Sequence, residues 1–232
     1  MLWWTLRQLQ SKNPKTRERA ALKLSECREA RAVGPLVAAL RDGDYSTQRA
    51  AADALGAIGD MRAIEPLVTA FKDERVWWAA MDALVRIGPA AVGSLVAALR
   101  DRDENVRGRA AQALGRLRDT RAVDPLMAAL KDKDWFVREA AAEALGRIGD
   151  VRAVGSLLAL TADKAVAETA IKALRLVLEN HAPQIAPENL QALAGLTNVV
   201  QLAAHETKAE EAIDWAEVRR LAQQELFRRA LK

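Results

Sequence analysis

The sequence has few of the side chains from which metal sites and disulfides are built. One cysteine, Cys27, and two histidines, His181 and His205, occur among 232 residues. A single cysteine forms no intramolecular disulfide, and three such side chains are too few for an ordinary zinc site. We therefore predict a protein of a reducing compartment that has no bound metal or other cofactor.

Motifs of catalysis and of membrane insertion are missing as well. No glycine-rich phosphate loop, G-x-S-x-G elbow or H-E-x-x-H motif occurs, and Gly56-Ala57-Ile58-Gly59 reads as a helix end. No unbroken apolar run approaches the ~18 residues that span a bilayer. The first seven residues lack the basic segment and long apolar core of a signal peptide. We expect a non-catalytic, cytoplasmic protein that makes no membrane contact.

Aromatic residues are scarce, at 4% of the chain, although half of the residues are apolar. Alanine and leucine dominate the apolar set, and both favour helices, whereas strands favour β-branched and aromatic residues. Charged residues of both signs make up 28%, which argues against disorder. The composition therefore predicts an all-α protein.

Positive charge is concentrated at one end of the sequence. Residues 1–30 hold seven Lys/Arg and three Glu, residues 31–180 hold 22 basic and 21 acidic residues, and residues 181–232 hold six and seven. A helical-repeat protein that binds nucleic acid is expected to carry a basic stripe along its length. Nucleic acid is therefore not an expected partner.

A repeat of about 30 residues organises most of the chain. An Arg-Ala-Val or Arg-Ala-Ile opening recurs at Arg31, Arg62, Arg121 and Arg152, and Ala90 opens another copy without the arginine. In the fullest copy, the apolar spacing predicts a short helix over 123–131 and a longer one over 135–148, ended by Gly149. No single hairpin buries such a stripe alone, so the period itself predicts stacking.

Six hairpins account for residues 1–180, and the remainder reads as a helical cap. The hairpins are predicted at 1–30, 31–61, 62–89, 90–120, 121–151 and 152–180. In 181–232, helices are predicted over 188–204 and 207–231. Repeat arrays need a terminal cap with a polar outer face, which is one interpretation of this tail. A docking helix for a partner is the other.

The pattern P-L-x-x-A-L-x-D-x-D-x-x-V-R-x-x-A-A-x-A-L-G-x-I-G-D-x-R-A resembles the HEAT-like repeat named after phycobilin lyases. The resemblance covers about 150 residues. It implies a right-handed α-α superhelix of the HEAT/armadillo class, with the second helix of each hairpin on the concave face. Such repeats occur in pigment lyases, scaffolds and assembly factors, so the resemblance fixes the fold and leaves the function open.

The exposed positions of the second helices are the candidate binding residues. Trp78 is the candidate aromatic anchor, because Trp and Arg are enriched at binding hot spots. Arginines are candidates for the same reason, and they recur in three successive repeats beside acidic residues. The alternative is a solvated face in which Asp82–Arg86 and Glu143–Arg147 are simple i,i+4 pairs. The candidate set is Arg49, Asp53, Trp78, Asp82, Arg86, Gln112, Arg116, Glu143 and Arg147.

Other tryptophans have separate interpretations. Trp77 replaces the arginine found at Arg107 and Arg138, which we expect to bond to acids of the inter-repeat turns, and Trp77 is expected to fill a gap between repeats. Trp135 reads as structural. Trp3 and Trp4 are expected to seal the end of the stack or, if exposed, to form a dimer surface or a second partner surface.

These observations favour a monomeric interaction module that binds another protein through its concave face. One alternative is a phycobilin lyase-like subunit or chaperone, in which Arg86, Arg116 and Arg147 would bind the propionates of a tetrapyrrole. Another is a DNA-binding HEAT-like repair protein of the alkylpurine glycosylase type, because Trp78 and Asp82 lie one helical turn apart. The neutral charge of the repeats argues against the last.

Overall fold

The computed structural model describes residues 2–181, 184–185, 187–195 and 215–230, and every regular element in them is helical. The predicted all-α repeat fold is confirmed, and each predicted hairpin holds a first and a second helix. The helices are α1 Leu2–Gln8, α2 Pro14–Cys27, α3 Val33–Ala39, α4 Tyr45–Ile58, α5 Ile64–Thr69, α6 Trp77–Ile87, α7 Val92–Ala98, α8 Glu104–Leu117, α9 Val123–Ala129, α10 Trp135–Ile148, α11 Val154–Leu160, α12 Ala167–His181, α13 Pro187–Gly195 and α14 Trp215–Ala230.

The chain divides into two compact units, 1–117 and 118–232. The first holds four hairpins, α1 to α8, and the second holds two hairpins, α9 to α12, followed by α13 and α14. Helix α14 packs on α12 and α13. The remainder of the two predicted tail helices lies outside the described residues, and the predicted division at residue 180 stays a prediction.

Second helices begin and end at the residues that the sequence marks. The Asp44 carboxylate accepts a hydrogen bond from the backbone N–H of Thr47, and Asp134 accepts one from Phe136, so an acidic N-cap opens both helices. Helices α4 and α10 end at Gly59 and Gly149, whose φ angles of 74° and 78° favour glycine. The predicted cap at Gly149 is confirmed.

The recurring Asp-x-Arg-Ala sequence links two of the hairpins to the one before. Asp60 accepts a hydrogen bond from the backbone N–H of Arg62, whose guanidinium binds both carboxylate oxygens at 3.0 and 2.7 Å. The same guanidinium donates at 2.9 Å to the carbonyl of Ala30, in the turn that opens the preceding hairpin. In the second unit, Arg152 binds Asp150 in the same way and forms an ion pair with Asp124 of the preceding hairpin at 3.2 Å. The repeat motif therefore ties neighbouring hairpins together.

These links make stability depend on pH in acid. Hydrogen bonds from the guanidinium and then the backbone N–H of Arg62 lower the pKa of Asp60 from 3.8 to about 2, and Arg121 lowers the pKa of Asp119 equally. A carboxyl group whose folded pKa is depressed stabilises the fold above its unfolded pKa, and that contribution disappears as pH falls toward 2. We expect the free energy of unfolding, measured by urea denaturation, to fall between pH 4 and 2. A D60N/D119N variant that loses stability as steeply as wild type over this range would contradict the assignment.

Leucines and small residues fill the space between the helices. Leu24, Leu55, Leu84 and Leu114 are fully buried in the first unit, as are the corresponding Leu145 and Leu174 in the second. The arginines seven positions before Leu24 and Leu145 each bind an aspartate of the next hairpin. Arg17 binds Asp42 at 2.8 Å and Arg138 binds Asp163 at 2.7 Å, so the predicted bond to an acid is confirmed for both. Each aspartate lies in the turn between the two helices of that hairpin, and not between repeats as expected.

Among the described residues, one helical stretch, Trp77–Ala98, is long and apolar enough by composition to cross a membrane, which the sequence expectation did not include. Gly88, with a φ of 82°, separates it into α6 and α7. Met81 and Leu84 are fully buried within the first unit. The apolar side chains of this stretch therefore belong in part to the core of a helical hairpin.

Candidate functional site

Seven of the predicted site residues lie in the first unit, on the side of three second helices that faces away from the buried leucines. They occupy positions six and two residues before, and two residues after, Leu55, Leu84 and Leu114, which a 3.6-residue period places opposite those side chains. We call this surface the α4–α6–α8 face. Its members are Arg49, Asp53, Trp78, Asp82, Arg86, Gln112 and Arg116.

Arg116 of α8 holds the centre of this face. Its guanidinium forms an ion pair with Asp82 of α6 at 2.5 Å and lies 5.3 Å from the centre of the Trp78 ring. Trp78 remains 54% exposed. A cation over an indole contributes about 0.5–1 kcal/mol at an exposed site, in addition to the ion pair. The tryptophan is therefore both accessible and supported from the neighbouring helix.

The ion pairs of the face join neighbouring helices. The i,i+4 pair predicted between Asp82 and Arg86 does not form, because Asp82 binds Arg116 and Arg86 lies 3.9 Å from Asp53 of α4. Arg49, on the same helix as Asp53, lies 4.0 Å from it. The offset between helices brings each aspartate to an arginine of the next repeat. The predicted Asp82–Arg86 pair is therefore wrong, whereas Arg49 and Asp53 do lie four residues apart on one helix.

Beneath Trp78, a buried arginine replaces the missing repeat arginine. Trp77 contacts Trp78 edge to face, with ring centres 5.3 Å apart, and the Arg109 guanidinium lies 4.6 Å from the Trp77 ring. Arg109 is buried, donates to the Phe71 carbonyl and binds both oxygens of Glu74 at 2.7 Å. This agrees with Trp77 as a filler between repeats. Sequence reasoning missed Arg109, although its counterparts Ala50 and Ala140 are alanines.

Two predicted residues belong to the second unit. Glu143 and Arg147 of α10 are both exposed and form an i,i+4 ion pair at 2.6 Å, as the alternative interpretation expected. Such pairs contribute only about 0.3–0.5 kcal/mol. Trp135, at the start of the same helix, is 54% exposed and contacts Phe136 with ring centres 6.4 Å apart. Its exposure equals that of Trp78, which the sequence did not indicate.

The N-terminal tryptophans are exposed, contrary to the expectation that they seal the stack. Trp3 is 69% exposed and Trp4 59% exposed. They occupy the positions of Gly34 and Pro35 in the next hairpin, which are exposed too. The Arg7 guanidinium lies 5.6 Å from the Trp3 ring. Their role as a second partner surface stays a prediction.

The α4–α6–α8 face offers guanidinium groups, carboxylates and one indole on rigid helices. Such groups recognise a partner by ion pairing, hydrogen bonding and stacking. Side chains on packed helices lose less conformational freedom on binding than side chains on loops, so the same contacts give a higher affinity. The arrangement is therefore suited to recognition.

Comparison with known proteins identifies the repeat. The family model described as HEAT repeats matches residues 4–91 and 92–175. Among solved structures, the complex of CpcE and CpcF of phycocyanin lyase from Nostoc sp. PCC7120 is 26% identical, with a TM-score of 0.54, over 71% of this chain and 99% of that chain. No curated protein matches the sequence.

Two further solved structures are similar to this chain. A Kap95p structure with RanGDP is 13% identical with a TM-score of 0.61, over 97% of this chain and 35% of that chain. An engineered protein is 24% identical with a TM-score of 0.48, over 97% of this chain and 67% of that chain. The present chain thus spans about a third of the Kap95p chain, and that likeness shows a helical-repeat fold alone.

Proposed function

Because the chain belongs to the HEAT repeat family, we propose that it is a non-catalytic interaction module that binds another protein on the α4–α6–α8 face. The observation that carries this proposal is Trp78, which stays 54% exposed although its ring contacts both Arg116 and Trp77. Tryptophan and arginine are the residues most enriched at binding hot spots. A cytoplasmic, monomeric protein remains part of the proposal.

Trp78 and Trp135 are equally exposed, but their surroundings differ. Trp78 lies among paired charges on three helices, whereas Trp135 contacts only the neighbouring Phe136 among the ring contacts of the described residues. A hot spot needs surrounding contacts that exclude water. We therefore expect Trp78, and not Trp135, to contribute to partner binding.

The test is affinity capture from a lysate of the source organism, read by quantitative mass spectrometry. We expect wild type to retain a specific protein that W78A/R116Q loses by at least about tenfold, the effect of removing one hot-spot side chain. W135A is the matched control and should retain it fully. Circular dichroism confirms that each variant is folded. Equal loss with W135A, or full retention by W78A/R116Q, would contradict the proposed face.

A second candidate is a lyase-like subunit or chaperone for a tetrapyrrole-bearing protein. The observation that favours it is the 26% identity to the phycocyanin lyase complex over 71% of this chain, which also supports the finer assignment to the phycobilin lyase HEAT-like repeats. Arg86 and Arg116 would supply positive charge for pigment propionates. A shifted visible absorption band on mixing the purified protein with a bilin would support this candidate, and an unchanged spectrum would reject it.

A further inference from the structure

Positive charge is left in surplus between α4 and α6. Arg49 and Arg86 share one carboxylate, Asp53, at the long distances of 4.0 and 3.9 Å. Their side chains are 63% and 55% exposed, and within the described ranges neither guanidinium takes part in a hydrogen bond that meets ordinary geometry. Each guanidinium has five N–H donors. Most of these donors therefore face water.

Arg116 has a different role from these two arginines. Its short ion pair with Asp82 and its position over Trp78 engage it within the face, and its side chain is only 29% exposed. The three arginines of the row are therefore not equivalent. Arg116 positions the indole, whereas Arg49 and Arg86 are available to an incoming group.

The balance of charge determines which group fits. Two guanidinium groups and the Asp53 carboxylate carry a net charge of +1, since Asp82 is neutralised by Arg116. A single carboxylate would neutralise this charge. A phosphate group carries about −1.5 to −2 at neutral pH and would leave excess negative charge beside Asp53. The charges therefore favour an aspartate or glutamate side chain over a phosphorylated one.

We propose that the α4–α6–α8 face binds an acidic segment of its partner protein, with one carboxylate held by Arg49 and Arg86 and an apolar side chain on Trp78. This inference rests on the proposed function and specifies its partner. Trp78 and Arg86 are eight residues apart on α6, or about 12 Å along the helix axis. An extended chain covers that distance in about four residues. The acidic and apolar residues of the partner are therefore about four positions apart.

The test uses three heptapeptide probes of the sequence acetyl-Ser-Phe-Thr-Ser-Thr-Xaa-Ser-amide. The sixth residue is glutamate, glutamine or phosphoserine, so the phenylalanine lies four positions from the variable charge. Binding is measured from the shift of the Trp78 indole N–H in nitrogen-15 NMR spectra, assigned by its absence in W78A. We expect the glutamate probe to bind about five- to tenfold more tightly than the glutamine probe, as two exposed ion pairs allow.

Matched double variants locate the charge effect. R49Q/R86Q should bind the glutamate and glutamine probes equally. R31Q/R100Q removes the same charge from two exposed residues that have no ion pair in the described part of the chain, and it should keep the preference. Because no core side chain changes, both variants are expected to fold, which circular dichroism checks.

Three outcomes would overturn the inference. They are equal binding of the glutamate and glutamine probes to wild type, tighter binding of the phosphoserine probe, and no shift of the Trp78 signal with any probe. None of them decides the proposed function, because the capture experiment tests that separately. Capture that depends on Trp78 without any acidic preference would leave a protein-binding face for a partner of different chemistry.

Discussion

Replacing Gly56 by alanine is expected to lower the free energy of unfolding by about 1–3 kcal/mol, the usual range for overpacking a core. A Cβ atom at this position would lie 2.7 Å from the Ala83 Cα and 3.0 Å from its Cβ. The obstructing atoms are the backbone and the Cβ of Ala83 in α6, which no side-chain rotation moves. Helices α4 and α6 would have to move apart, which would loosen the packing that positions Asp53 against Arg86.

Replacing glycine by alanine within a helix ordinarily stabilises a protein, so a loss of stability on Gly56→Ala would come from the close packing. Gly93 lies within α7 and is exposed, and a methyl group added to its Cα would have no atom of another element within 4 Å. Gly93→Ala should therefore raise the free energy of unfolding by about 0.5–1 kcal/mol, because glycine loses more backbone freedom than alanine on folding. Urea denaturation followed by circular dichroism measures both. A Gly56→Ala variant as stable as Gly93→Ala would show that the close approach of α4 and α6 is wrong.

Arg109→Ala is expected to lower the free energy of unfolding by about 2–3 kcal/mol, since it leaves a buried acceptor without its donor. The substitution removes the hydrogen bond to the Phe71 carbonyl, the ion pair with Glu74 and the contact with the Trp77 ring. Trp77 then loses the side chain that packs against it, and Trp78 loses part of its support. Tryptophan fluorescence should shift along with the loss of stability.

The neighbouring Glu74→Gln variant is the control for this prediction. Glu74 is largely exposed, so its ion pair with Arg109 contributes less than about 1 kcal/mol. Its removal keeps the guanidinium on the Phe71 carbonyl and over Trp77. If Glu74→Gln were as destabilising as Arg109→Ala, the ion pair and not the buried hydrogen bond would stabilise this junction.

Local features of the fold could be predicted because they depend on neighbours in the sequence. The longer helix of the fullest repeat was expected over 135–148, and α10 occupies Trp135–Ile148. Its acidic start and its glycine end are set within a few residues of each terminus. The predicted pairing of Glu143 with Arg147 also lies within one helix, and it is confirmed.

Pairings between helices could not be predicted in the same way. Asp82 has an arginine four residues later on its own helix, yet it binds Arg116, 34 residues away. Which arginine Asp82 binds depends on the axial offset between α6 and α8. The spacing of residues along one helix gives no information about that offset. The exposure of Trp3 could not be predicted for a related reason. The first hairpin lacks the Arg-Ala-Val opening, and without it Trp3 could not be aligned with the exposed Gly34 of the next hairpin.

Two exceptions to the repeat explain each other. Trp77 stands in α6 where α2 and α10 have Arg17 and Arg138. Arg109 adds to α8 an arginine where α4 and α10 have the small residues Ala50 and Ala140. The guanidinium of Arg109 lies over the Trp77 ring. In the sequence these two departures are 32 residues apart. Only the packing of the hairpins shows that Trp77 and Arg109 contact each other, and Trp78 in turn contacts Trp77.

The most direct test of the binding face is photo-crosslinking to the partner recovered by capture. A photoreactive benzoylphenylalanine is placed at Gln112, which is half-buried on the α4–α6–α8 face, or at Glu65, which is exposed on the first helix of its hairpin. Neither substitution changes Trp78 or an arginine of the face. We expect a crosslink from position 112 and none from position 65. A crosslink from position 65 alone, or from both equally, would contradict binding at this face.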